Sequence, residues 1–243
     1  MPDPFTPLVL VHGGSFAGSC WDLVVTRLRG PVLAVDLPGR GVHPAPLDSL
    51  TIAAAAESVA ADIDAAGFDD VVLVGHSLAG CSMPTTIGLL GDRVLHAVFV
   101  ACTVPENGKS CLDTLPSEVK AMVREDIRTP VGVLDEASAK AFFGSDLDQE
   151  QFKWCRERMV PEGLDLVLEP VDLTPLRSPF PRTWVRTLRD AIIDPEDQLR
   201  YAENAGNCEI IDMDAGHMCM ISKPAELATL LNELAASSRR SPA

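Results

Sequence analysis

The sequence predicts an α/β fold: a mainly parallel sheet of about six strands flanked by helices, with a helical cap inserted over one edge. Three observations carry this. Short runs rich in Val, Leu and Ile recur along the 243 residues, and most are continuously apolar, as parallel strands buried on both faces are. Each is followed by a turn signal and a helix-period segment, the alternation that builds βαβ units. One stretch of about 80 residues breaks the rhythm and is too long for an ordinary crossover.

Taken in order, the strand runs lie at 8–11, 32–35, 71–74, 97–101, 183–188 and 209–213. Helices are expected at 21–28, 51–66, 78–90, 195–203 and 224–236. The clearest is 51–66, where Ile52, Ala56, Val59, Ile63 and Ala66 step by 4, 3, 4 and 3 along one face and Gly67 stops the helix. The last two open with Pro195 and Pro224 in the first turn. Within the irregular block, helices are expected at 117–127, 136–143 and 148–159. The chain thus divides into a core of residues 1–103 and 182–236, a cap at 104–181 and a disordered tail at 237–243.

Composition narrows the function classes. Apolar residues make up 47%, enough for a sizeable core, but aromatics only 5%, so a pocket must be lined mostly by aliphatic side chains and Met. A net charge of −15 repels phosphate backbones and anionic lipid, which argues against nucleic-acid and membrane partners. Seven cysteines form no CxxC pair and show no zinc spacing, so neither a disulfide framework nor a metal ribbon is expected, and no cofactor. The first residues lack a basic leader region, and the apolar run at 8–11 is far too short to span a membrane. A reduced, cytoplasmic protein is the expectation, with a small-molecule partner and room for a homodimer.

The most informative segment is Val71-Val72-Leu73-Val74-Gly75-His76-Ser77-Leu78-Ala79-Gly80. A buried strand, a small residue, a Ser, another small residue and a helix make the pattern of a nucleophile elbow, a sharp turn that lifts the Ser hydroxyl above the sheet. Ala79 stands where the pattern usually has a second Gly, a departure that Gly80 would partly relieve. A Ser before a helix also serves simply as an N-cap, so the flanking strand and helix are what favour catalysis.

A Ser nucleophile needs a base, and the chain has five histidines. His12 ends the first strand in a His-Gly-Gly turn and is expected to be structural. His76 abuts the Ser but is expected to point elsewhere; His43 lies in a Gly/Pro loop and His96 enters a strand. His217 follows the last strand in Asp214-Ala215-Gly216-His217, where the Ser, acid, His order of an elbow hydrolase places the base. The acid should follow the preceding strand. Asp190 does, while Asp194 and Asp197 compete but suit the start of the next helix, and Asp212 and Asp214 lie too near His217 to orient it. Ser77 would attack a carbonyl, His217 would take its proton, and Asp190 would fix the imidazole. The oxyanion would rest on the N–H of Leu78 and one from the His-Gly-Gly turn, Gly14.

Three segments, 8–14 with Trp21, 75–80, and 190–198 with 216–224, resemble the α/β-hydrolase fold over nearly the whole chain. They resemble in particular the branch holding plant methylesterases, hydroxynitrile lyases and bacterial esterases of the pyrethroid-hydrolase kind. Lyases of that branch carry a Thr after the first-strand His and a Lys after the catalytic His; here those positions are Gly13 and Met218, as in the esterases. The resemblance therefore implies ester hydrolysis over cyanohydrin cleavage, and Ser77 argues against dehalogenase and epoxide-hydrolase chemistry, which uses Asp.

Phe142, Phe143, Phe152, Trp154 and Met218 are candidates for an apolar substrate pocket, against the alternative that the cap aromatics form the cap's own core. The functional expectation is a serine hydrolase for small to medium, mostly apolar esters or lactones. A biosynthetic thioesterase, a lyase on the same site, and a ligand-binding protein with a silent triad are the alternatives.

Overall fold

The structure, a computed structural model, describes residues 5–115 and 131–239. Six strands, β1 (Leu8–Val11), β2 (Val32–Val35), β3 (Val71–His76), β4 (Val94–Val100), β5 (Arg182–Thr187) and β6 (Glu209–Met213), form one sheet. Every pairing is parallel and the order is β2-β1-β3-β4-β5-β6. The chain winds one way from β1 to β2 and the other way from β3 onward. The C-terminal ends of β1 and β3 therefore flank the switch point at which open parallel sheets bind ligands. Register brings Val11 beside Gly75, so the turn after β1 and the turn after β3 meet there.

Alternation along the strands feeds two core layers. Val9, Val11, Val71, Leu73, Ala97, Phe99 and Trp184 face helices α1 (Ile52–Ala65) and α2 (Ala79–Leu90). Phe99 and Trp184 stack there with ring centroids 5.6 Å apart. Leu8, Leu10, Val72, Val74, Val98, Val100 and Val185 face the other way, toward Trp21, Phe16 and the C-terminal helix. Full burial of Leu8 and Leu10 contributes about 1.5–3 kcal/mol each.

Between β4 and β5 the chain leaves the sheet and builds the inserted cap. Its longer described helices are α3 (Glu136–Phe143) and α4 (Gln149–Arg156), each opened by an Asp that accepts an N3 amide: Asp135 from Ser138 and Asp148 from Gln151. After β5 come α5 (Pro195–Ala205) and, past β6, α6 (Pro224–Ser237). The helix expected at 117–127 and the residues 240–243 of the tail lie outside the described residues. The tail's beginning, Ser237, still belongs to α6.

The helix expected at 21–28 is reduced to a 3-10 turn, Gly18–Trp21, and one α turn, Asp22–Val25. The β-branched run Val24-Val25-Thr26 and the approaching Gly30-Pro31 leave too little helix-forming sequence to propagate it. The strand expected at 71–74 runs on to His76, and the one expected at 97–101 begins three residues earlier, at Val94.

Candidate active site

Two residues, Ser77 and Leu78, turn the chain from the end of β3 into α2. Ser77 is forced into the left-handed region, with φ 54°, which costs a non-glycine residue about 1–3 kcal/mol. The surroundings hold it there. Its N–H donates to the Val100 carbonyl (3.1 Å), and its carbonyl accepts from Gly80 and Thr103 (both 3.0 Å). The helix passes so close to the end of β4 that a Cβ on residue 80 would stand 2.4 Å from the Thr103 carbonyl oxygen. Gly80, rather than residue 79, gives the elbow that clearance.

His217 sits in the turn between β6 and the short helix Cys219–Ser222. Its Nε2 is 2.9 Å from Ser77 Oγ and its Nδ1 is 2.8 Å from Asp190 Oδ2. An ionised carboxylate only accepts, so Nδ1 carries the proton and Nε2 presents its lone pair to the Ser77 hydroxyl.

Asp190 is fully enclosed. Its Oδ1 accepts from the amides of Ile192 (2.8 Å) and Ile193 (3.0 Å), and its Oδ2 accepts from Thr187 Oγ1 (2.9 Å) as well as from His217. Burial works against the charge, but His217 and those amides outweigh it and hold the carboxyl below its usual range. Gln198 locks this corner from α5: its amide oxygen accepts from Thr187 N (3.1 Å), and its Nε2 donates to the Ile193 carbonyl and Thr187 Oγ1 (both 3.0 Å).

The competing acids are engaged elsewhere. Asp194 caps α5 through Glu196 N (2.8 Å) and Asp197 pairs with Arg200. Asp212 and Asp214 pair with Arg186 (2.6 Å) and Arg189 (2.8 Å). The chain thus carries the Ser-His-Asp geometry of a serine hydrolase at the sheet's switch point.

Among the other histidines, His76 departs from expectation. His12 takes a structural part: its Nδ1 meets the Gly13 carbonyl (2.8 Å) and its Nε2 accepts from Leu37 N (3.2 Å). Burial, with the charge of Arg40 added, lowers its pKa to about 3 and keeps it neutral. His43 contacts Asp62 and His96 contacts Thr183 Oγ1.

His76 was expected to point away from the site; instead its Nε2 donates to the His217 carbonyl (2.9 Å) and its ring lies 4.7 Å from the His217 ring. The reason is the length of β3. The strand extends through residue 76, so alternation sends that side chain to the face under the His217 turn, a contact between residues 141 positions apart. Burial, followed by His217, lowers its pKa to about 3, so His76 acts as a neutral donor.

The structure sets Gly14 beside Leu78: a Cβ on Gly14 would lie 3.4 Å from Leu78 Cδ2. At Gly13 a Cβ would stand 2.7 Å from Ser77 Cβ, so only a glycine leaves room beside Ser77 there. Of the cap aromatics, Phe143 reaches the triad, its ring 6.0 Å from that of His217 and packed edge-on to Phe16 at 5.1 Å. Met218 is fully buried beside it in the same core layer. Phe142 is 46% exposed. Phe152 lines a groove of about 680 Å³ on the cap with Lys140 and Arg156, and Trp154 carries the Arg158 guanidinium 3.6 Å over its ring. Among the described residues those three make no ring contact with His217. Sequence reasoning also missed Thr187 and Phe16, and gave Gln198 no role beyond closing the segment 190–198 that carries the resemblance.

A model of the Alpha/beta hydrolase family matches residues 8–230. The chain belongs to that family. Among curated relatives, it is 30% identical to "Probable esterase PIR7A" of Oryza sativa, over 97% of this chain and 99% of the relative. Among solved structures, it is similar to an extracellular alpha/beta-hydrolase from a Paenibacillus species, described as sharing structural and functional homology with tobacco salicylic acid binding protein 2. That match has a TM-score of 0.84 at 21% identity, covering 97% of this chain and all of the other. A pyrethroid hydrolase from Sphingobium faniae superposes with a TM-score of 0.79 at 23% identity, covering 96% and 98%.

The extracellular Paenibacillus relative overturns the expectation of a cytoplasmic protein. Free thiols were a poor guide, because Cys20, Cys81, Cys102, Cys155 and Cys219 are buried. Burial raises the thiols of Cys20, Cys102 and Cys219, and that of Cys155 to about 12, which disfavours the reactive thiolate. Among the described residues no helix is long and apolar enough to cross a membrane.

Proposed function

We propose that the protein hydrolyses small to medium, mostly apolar carboxylic esters or lactones through an acyl-enzyme on Ser77. The observation that carries this is the continuous relay from Ser77 Oγ to His217 Nε2 and from His217 Nδ1 to Asp190. His217 takes the hydroxyl proton as Ser77 Oγ attacks the ester carbonyl, and Asp190 stabilises the imidazolium. The tetrahedral oxyanion is held by the amides of Leu78 and Gly14, at the N-terminus of α2 and the facing turn. Collapse passes the proton from His217 to the leaving alkoxide. Water, deprotonated by His217, then releases the acid and restores Ser77.

Ester substrates are supported by relatives named as an esterase and as a pyrethroid hydrolase. An apolar acyl or alcohol group is supported by Phe16, Phe143 and Met218 around the triad. Gly13 and Met218 offer neither the hydroxyl nor the ammonium that cyanohydrin cleavage would use. The same reading takes 104–181 as the cap over this site, and the charge of −15 supports the absence of nucleic-acid partners.

The test is turnover of p-nitrophenyl esters of increasing acyl length, with Ser77→Ala as control and phosphonate labelling followed by mass. Turnover that disappears in Ser77→Ala, with the label on Ser77, is the expected result. Full activity in a folded Ser77→Ala protein refutes the mechanism.

A further inference from the structure

Resting on that reading of Ser77, we infer that Glu162 and Arg40 form a charge-neutral clamp from the cap onto the oxyanion loop. Glu162 is therefore a positioning residue for the reaction. The residue after the proposed oxyanion donor Gly14 is Ser15, another left-handed residue, with φ 63°. The cap holds it from both sides: Val160 N–H donates to the Ser15 carbonyl (2.9 Å), and Ser15 N–H donates to the Glu162 carboxylate. Glu162 is itself anchored by paired backbone hydrogen bonds with Val131, both 2.9 Å. Without the cap segment 160–162, nothing in these contacts would hold the strained turn that aims Gly14.

This placement has an electrostatic cost. Glu162 Oε2 lies 3.1 Å from the point a Cβ on Gly14 would occupy, so a carboxylate stands beside the residue whose amide is to hold the oxyanion. Arg40 offsets it. Its guanidinium pairs with Glu162 Oε1, and both side chains are enclosed, 1% and 8% exposed. Arg40 Nε and Nη1 have no hydrogen-bond partner among the described residues. A buried pair so incompletely satisfied is a poor stabilising device, and a well-packed apolar pair would serve the fold as well or better. The arrangement makes sense as an acceptor for Ser15 N–H whose charge is cancelled before the reaction begins.

The test is kcat and KM on p-nitrophenyl butyrate, per site titrated with a phosphonate, alongside the melting temperature. The variants are Arg40→Met, Glu162→Ala, Glu162→Gln and Arg40→Met/Glu162→Gln. Arg40→Met leaves an uncompensated carboxylate by the oxyanion and is expected to lower kcat about 30-fold with KM within about twofold, somewhat less than loss of an oxyanion donor. Adding Glu162→Gln should recover about tenfold, because the Gln carbonyl still accepts from Ser15 and carries no charge. Glu162→Ala should fall about tenfold below Glu162→Gln.

A double variant no faster than Arg40→Met, or variants that shift only the melting temperature, would overturn the inference and leave a packing pair. If Arg40→Met does not fold, equal rates for Glu162→Ala and Glu162→Gln overturn it equally. Wild-type protein with neither turnover nor label on Ser77 would instead remove the hydrolase reading, and the clamp with it.

Discussion

Asp190→Asn changes one atom, yet the contacts around it dictate a specific failure. The two amides at Oδ1, from Ile192 and Ile193, are backbone donors at 2.8 and 3.0 Å and cannot turn round. An Asn must therefore keep its oxygen there and place its NH2 where Oδ2 now faces His217 Nδ1. Two donors cannot meet, so the imidazole must carry its proton on Nε2, and Nε2–H then points at Ser77. The base is lost while every heavy atom stays in place. A wrong tautomer of this kind lowers kcat about 10⁴-fold, roughly 5.4 kcal/mol of transition-state stabilisation. The loss of charge-assisted hydrogen bonds costs a further ~1.5–3 kcal/mol of fold stability. The assay is kcat per phosphonate-titrated site on p-nitrophenyl butyrate, with calorimetry in parallel. A folded Asp190→Asn protein retaining more than a tenth of wild-type kcat would refute the assigned tautomer and the acid itself.

Gly13→Ala should abolish turnover by at least ~10²-fold in a folded protein, because the new methyl would stand 2.7 Å from Ser77 Cβ and displace the nucleophile; phosphonate labelling rates check it. His76→Phe keeps the ring and removes the donor to the His217 carbonyl, and should lower kcat about tenfold with little change in KM, as read from full saturation curves. Stability should fall on mild acidification. His12 and His76 are held neutral with pKa values of about 3, against about 6.5 in the unfolded chain. The unfolded state binds the extra protons, so their contribution is complete above pH 6.5 and shrinks as pH falls toward 3, by about 1.4 kcal/mol per pH unit for each. Asp190 adds its own loss only below the ordinary carboxylate range, since its carboxyl is held lower still. A melting temperature that stays flat between pH 7 and pH 5 would contradict this.

Sequence alone determined the parts of this protein that are local. Apolar runs buried on both faces specified β1, β3 and β4, the alternation of strand and helix specified the parallel pairing, and the elbow specified where the candidate nucleophile stands. Chain order assigned His217 and Asp190, because in this topology each lies just past the C-terminal end of a strand. What sequence could not supply was which distant side chains converge. Nothing in the residues around His76 shows that β3 runs long enough to aim it at a carbonyl 141 positions away. The cap aromatics look alike in composition, yet among the described residues only Phe143 sets its ring against that of His217, because helix orientation is set by packing between elements. Glu162 and Arg40 lie 122 residues apart and meet only because the cap folds back over the first turn of the sheet. Strands and motifs follow from neighbours along the chain, whereas the groups that hold a strained loop or orient an imidazole follow from burial, which exists only once the layers have packed.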